Sequence, residues 1–166
     1  DYSHASDLAA ELAAMGYFCI GGACYPEGHP ESKNKAEDIR YLKEKVDAGC
    51  SFLTTQMFFD NDLFYNFLYR IREAGIAVPV VAGIMPVTNA KQMKRILSMS
   101  GTVLPTRFKM LLDRFGDDPA AMKQAGVAYA VSQIIDLVAN GIHAIHIYSM
   151  NKPDVAEQIK LSLIHI

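Results

Sequence analysis

The residues best suited to chemistry fall in four short segments: Tyr25 to Glu31, Gln56 to Asp60, Pro86 to Asn89 and Tyr148 to Lys152. The first, within CYPEGHPES, combines two prolines, an aromatic ring, a histidine and two acids. Prolines stiffen a loop, so its side chains can be held in place for a ligand; the same stiffness also suits a plain solvent loop. Gln56 follows Thr54 and Thr55 and precedes Met57-Phe58-Phe59. A neutral amide both donates and accepts hydrogen bonds, which suits a flat heterocycle, or else a loop backbone. Gln92 stands three residues after Asn89, the spacing of a capping box.

Other candidates read as structure. His143 and His146 stand three apart in an apolar run, on opposite faces of a strand, so they read as packed or loop-satisfied histidines rather than a ligand pair. Cys24 and His29 lie close in sequence, but no second CxxC or HxxxH completes a metal site. Phe58 and Phe59 read as packing, and Leu63, Phe64, Phe67 and Leu68 as one core face of a helix.

Those segments need elements to position them. A helix is expected from about Ser6 to Met15, stopped by Gly16, then a buried strand over Tyr17 to Ile20. Gly21 to Pro30 reads as loop, and Lys33 to Ala48 as a helix with Ile39, Leu42 and Val46 on one face. Cys50 to Thr55 is the second strand, with Gln56 at its exit. Asp60 or Asn61 can cap the next helix. Val78 to Ala82 is the third strand, followed by a helix capped by Asn89 with Met93, Ile96 and Leu97 inward. Leu104 to Phe115 reads as a short helix, and Asp118-Pro119 opens a long one to about Asn140. Ile142 to Ile147 is the fourth strand, and Pro153 to Lys160 the last helix.

Strand and helix alternate at roughly 30-residue spacing, so the strands should be parallel. Their nearly continuous apolar runs suit strands covered on both faces. No GxGxxG or GxxxxGK fingerprint occurs, which favours a barrel over a doubly wound dinucleotide fold. In a barrel, the four segments fall where strands end and active groups gather.

Composition narrows the class. The 166 residues carry 16 basic and 18 acidic side chains, a net charge of −2 that offers no sign of nucleic-acid or polyphosphate binding. Hydrophobic residues at 51% and charged ones at 20% fit a folded globular chain. No apolar run approaches the ~20 residues of a membrane span, and no leader pattern is evident. Three cysteines without a CxxC pair suggest free thiols in a reducing cytoplasm.

The blocks AxYPEGHPES, DIRYLKEKVDAGCSFLTTQMFFD, VPVVAGIMPVTNAKQ and HIYSMNKP together resemble the bacterial, flavin-containing methylenetetrahydrofolate reductases from Asp7 to Lys160. The resemblance implies a (β/α)8 barrel carrying FAD. It implies hydride transfer from NADH or NADPH to the flavin and on to 5,10-methylenetetrahydrofolate, and a cytoplasmic homo-oligomer. It matches Tyr25, His29, Asp38 and Lys45 to flavin contacts, and Gln56 to a glutamine shared by folate and nicotinamide. It matches Gln92 to a folate-contacting glutamine in place of the cap reading. Tyr148, Met150 and Lys152 fall in the segment walling the substrate site. Lys152 stands where many members have arginine, and Lys lacks the planar fork. Ile96 stands where some have a stacking aromatic.

The family's proton-donating glutamate and flavin-tuning aspartate have no counterpart in this sequence and would precede Asp1. The expectation is therefore the C-terminal half of a barrel, four strands of eight over residues 1–160, inactive in isolation. A whole barrel takes roughly 250 residues. Leu161 to Ile166 (LSLIHI) matches the translation of a common transposase adapter and is expected not to be native. The competing readings are another (β/α) barrel enzyme, such as an aldolase or lyase, and a non-catalytic flavin- or folate-binding module. No strand ends in a Schiff-base lysine or metal carboxylates, as the first of these needs.

Overall fold

A computed structural model describes residues 2–91, 93, 96, 97 and 102–166. Gln92 lies outside the described residues. Four strands, β1 (Gly21–Cys24), β2 (Phe52–Thr55), β3 (Val80–Ile84) and β4 (Ile145–Ile147), lie in that order in one sheet. β1 pairs parallel with β2, and β2 parallel with β3. Each strand beside its sequence neighbour, with helix between, is the order of a barrel, without the reversal that marks a doubly wound sheet. The helices are α1 (Ala5–Ala14), α2 (Lys35–Asp47), α3 (Asn61–Glu73), α4 (Thr106–Phe115), α5 (Pro119–Ala139) and α6 (Pro153–Ser162).

The chain divides into two compact units, residues 1–56 with 62–82 and residues 57–61 with 83–166. In the first, α2 packs on α1 and on β1. Its core gathers Leu42, Leu53, Phe64, Phe67, Ile71 and Ile76, all buried. Asn34 caps α2 by accepting the Glu37 N–H at 2.9 Å. Gly49 (φ +124°) turns the chain from α2 to β2, and α1 lies so close to it that a Cβ there would stand 2.5 Å from that of Ala13.

The second unit packs α4 and α6 on α5. Its core holds Phe59, Val87, Met93, Phe108 and Met122, with Phe59 stacked on Phe108 at 4.8 Å between ring centres. The expected packing role of Phe58 and Phe59 is met, since both are buried. Ile96 packs against this cluster as an aliphatic side chain. Asp118 caps α5 as its sequence suggests, accepting from the Ala120 and Ala121 N–H groups. From α5, the Tyr129 hydroxyl donates to the Phe59 carbonyl at 2.6 Å and Gln133 Nε2 to that of Phe58 at 3.3 Å. These bonds hold the loop that follows Gln56.

Three expectations are corrected. The first strand is not Tyr17–Ile20 but Gly21–Cys24; Tyr17 and Phe18 are exposed. Register decides this: Gly21 faces Phe52, and a Cβ on Gly21 would meet the Phe52 ring at 2.5 Å, so glycine fits where the partner ring lies. Strands β1 and β2 are not covered on both faces. Cys24, Leu53 and Thr55 are buried, while Gly21 and Ala23 in the other row are exposed. His143 and His146 are exposed rather than packed in a core. Among the described residues, β4 stands at the end of the strand order beside β3.

Candidate functional site

Four residues singled out in the sequence converge in the first unit. Tyr25, His29, Asp38 and Lys45 all line one cleft of about 540 Å³. The loop after β1 supplies Tyr25 and His29, and α2 supplies Asp38 and Lys45. Asp38, Tyr41, Leu42 and Lys45 follow an i, i+3, i+4, i+7 pattern, which puts them on one helical face. Tyr25 and His29 meet edge to face, ring centres 4.6 Å apart. Glu31 N–H donates to His29 Nδ1 at 3.2 Å, so the tight loop turns on its own histidine.

Asp38 is only 9% exposed. A buried carboxylate needs donors, and the Ser32 hydroxyl supplies one to Oδ1 at 3.1 Å. Lys45 Nζ donates to the Ala23 carbonyl of β1 at 2.9 Å. A Cβ on Gly22 would stand 3.1 Å from Lys45 Cδ, so glycine there leaves room for the lysine stem against the strand. The cleft thus carries a fixed cation, a held carboxylate and the rings of Tyr25 and Tyr41. Burial raises the Tyr25 phenol above its ordinary pKa, helped by the Asp38 and Glu31 carboxylates, so near neutral pH it is a hydrogen-bond donor. Burial pushes the Cys24 thiol up to about 12, against the lowering effect of Lys45.

Gln56 leaves β2 exposed, its backbone N–H donating to the Cys24 carbonyl at 2.7 Å. In the second unit, Lys152 Nζ donates to Thr88 Oγ1 at 2.7 Å, joining the segments after β3 and β4. Tyr148 N–H donates to the Ile84 carbonyl at 2.9 Å, and its ring meets His146 edge to face at 4.5 Å. Met150 (φ 51°, 56% exposed) and Asn151 (φ 60°) are consecutive residues in the left-handed region. Such backbone costs energy and is concentrated at functional sites. Asn89 Oδ1 accepts the Lys91 N–H at 2.9 Å, as the expected cap requires.

Ser32 closes CYPEGHPES and Thr88 falls within Pro86 to Asn89, but neither they nor Tyr41 stood out individually in the sequence. Tyr41 had a signal in its helical spacing from Asp38 and Lys45; Ser32 and Thr88 act through partners that spacing does not reveal. Among the described residues no group of three or more His, Cys, Asp or Glu side chains could hold a metal ion. Nor is any described helix long and apolar enough to cross a membrane.

Comparison with known proteins places the chain in a family. A family model described as methylenetetrahydrofolate reductase matches residues 1–163. The 5,10-methylenetetrahydrofolate reductase of Escherichia coli (strain K12) is 36% identical over 156 residues, covering 94% of this chain and 53% of that protein. Methylenetetrahydrofolate reductase 1 of Schizosaccharomyces pombe is 36% identical over 160 residues, covering 95% of this chain and 26% of that protein. The chain therefore spans about half the length of the bacterial relatives it matches. A solved Clostridium thermocellum protein, described as binding two copies of 5-methyl-5,6,7,8-tetrahydrofolic acid, superposes with a TM-score of 0.64 at 18% identity. That match covers 95% of this chain and 57% of the other, and it shows a shared fold. By its sequence, matched along nearly its whole length, the chain belongs to the methylenetetrahydrofolate reductase family.

Proposed function

We propose that this chain supplies flavin and folate contacts of a cytoplasmic, homo-oligomeric reductase that converts 5,10-methylenetetrahydrofolate to 5-methyltetrahydrofolate with NADH or NADPH. The observation that carries the reading is the convergence of Tyr25, His29, Asp38 and Lys45 on one cleft in a chain of this family.

The cleft suits part of FAD. Lys45 is a cation for a phosphate oxygen, and Asp38, buried and already held by Ser32, is an acceptor for ribose hydroxyls. Tyr25 contributes a ring face and a protonated hydroxyl. When bound, FAD supplies the hydride chemistry, while the protein binds and orients. Gln56 at the β2 exit offers both a donor and an acceptor to the folate or nicotinamide amide edges. Gln92 has the same role towards folate. Lys152, fixed by Thr88, offers a positive charge to the folate glutamate, with Tyr148 and Met150 as flanking wall. The general acid and the flavin-tuning aspartate come from outside this chain.

Titration of FAD with the 166-residue chain tests the reading, with flavin fluorescence as the signal. Saturable quenching, weakened by Asp38→Asn and by Lys45→Met, is expected; no quenching would sink the flavin assignment. The isolated chain is expected not to oxidise NADH with a quinone acceptor, and turnover would overturn that part.

A further inference from the structure

Tyr25 and Asp38 also line a second cleft, of about 300 Å³, whose other walls come from α2 and α3. Its apolar side is Ile39, Leu63 and Phe67. Its charged side is Lys35, the first residue of α2, and Arg70, in the last turn of α3. Elsewhere Arg40, Lys43 and Lys123 are paired with acids. The Lys35 ammonium and the Arg70 guanidinium make no side-chain hydrogen bond or ion pair with any described residue.

Two unpaired cations beside an apolar wall have a defined complement. A guanidinium presents a planar fork to two oxygens of a carboxylate or phosphate, and an ammonium adds a point charge. The N-terminal end of α2, where Lys35 sits, adds partial positive charge of the same sign. Asp38 is the only carboxylate on the wall, and its Oδ1 is engaged by Ser32. The lining therefore carries a net positive charge of one, too little for a polyphosphate chain. Gly28, at φ +99°, turns the loop over Lys35 in a conformation that side-chain-bearing residues resist.

We infer that this cleft is a binding site for a small organic anion, a phosphate or carboxylate carried on an apolar body. The inference does not depend on the flavin reading, because Lys35, Arg70, Ile39, Leu63 and Phe67 line this cleft and not the one assigned to flavin.

Amide NMR titration of the 166-residue chain with phenyl phosphate tests it. Expected are saturable shifts at Gly28, Lys35 and Arg70 that weaken with added salt. The double variant Lys35→Ala/Arg70→Ala should lower the affinity by about tenfold or more. Lys43→Ala, a paired lysine on the same helix, should leave it unchanged. Arg70→Gln alone should give a smaller loss in the same direction and replaces the double variant if circular dichroism finds that one unfolded. Benzoate in a parallel arm identifies whether a carboxylate serves as well as a phosphate. Absence of saturable shifts, shifts confined to Ser32, Tyr41 and Lys45, or affinity indifferent to Lys35 and Arg70 would overturn the inference.

Discussion

Lys45 Nζ donates to the carbonyl of Ala23, tying α2 to the strand that precedes it by 22 residues. The bond holds the ammonium at the cleft that Tyr25, His29 and Asp38 also line. Gly22 leaves the space for the lysine stem, so strand and helix residues jointly fix one charge.

Lys45→Met keeps most of the stem and removes the donor. Loss of this exposed hydrogen bond is expected to cost no more than about 1 kcal/mol in urea unfolding. Gly22→Ala tests the same contact from the strand side. The Lys45 Cδ and Cys50 Sγ atoms, each 3.1 Å from the added methyl, must give way, so a loss of similar sign is expected.

The cysteines should separate by reactivity. Cys19 is exposed, whereas Cys24 and Cys50 are buried with thiols raised by burial. A thiol reagent at pH 8 should modify Cys19 quickly in the folded chain and the other two only after denaturation. The same shift predicts a pH dependence of stability. The folded Cys24 pKa, about 12, lies above its ordinary value of 9.0, so the unfolded chain loses this proton first. Its contribution is fully present below pH 9 and is lost as pH rises towards 12, by on the order of a few kcal/mol. Urea unfolding of Cys24→Ser beside the parent chain across that range checks the sign, since the variant should show a shallower decline.

Gly126 of α5 lies against the backbone after β3. A Cβ there would stand 1.8 Å from the Val87 carbonyl oxygen, a contact that no rotamer change relieves. Gly126→Ala is expected to destabilise by about 3 kcal/mol or more despite alanine's better helix propensity, which favours it by roughly 1 kcal/mol. Thermal unfolding measures the difference; an unchanged midpoint would show that α5 does not approach Val87 this closely.

Thr88 and Lys152 form a pair suited to a double-mutant cycle. Thr88→Val removes the acceptor, and about 1 kcal/mol is expected to be lost. Lys152→Met should remove a similar amount, and the two together less than their sum, because one bond is deleted twice. If the losses simply add, the two side chains do not interact in solution.

Much of the architecture was legible along the chain. Asp118-Pro119 marked the start of α5, Gly16 the end of α1, and the apolar spacing of Phe64 and Phe67 the core face of α3. The loop holding Tyr25 and His29 was legible as a rigid, polar-rich segment at a strand end. The first strand was not. Tyr17 to Ile20 has the stronger apolar run, yet the ladder forms over Gly21 to Cys24, opposite Phe52 to Thr55. Hydrophobic content is local, whereas register depends on the partner's side chains.

The sequence by itself determined the kinds of element, their alternation and the loops that bear reactive side chains. Helical and strand periods, caps and turn residues act within a few positions of one another, so neighbours in the chain suffice to specify them. Only the tertiary structure decided that Ser32 holds Asp38, that Lys45 reaches Ala23, that Thr88 receives Lys152, and that Lys35 and Arg70 border one cleft. Those pairings join residues on different elements, and the distance between them is set by packing and register, which no local pattern contains.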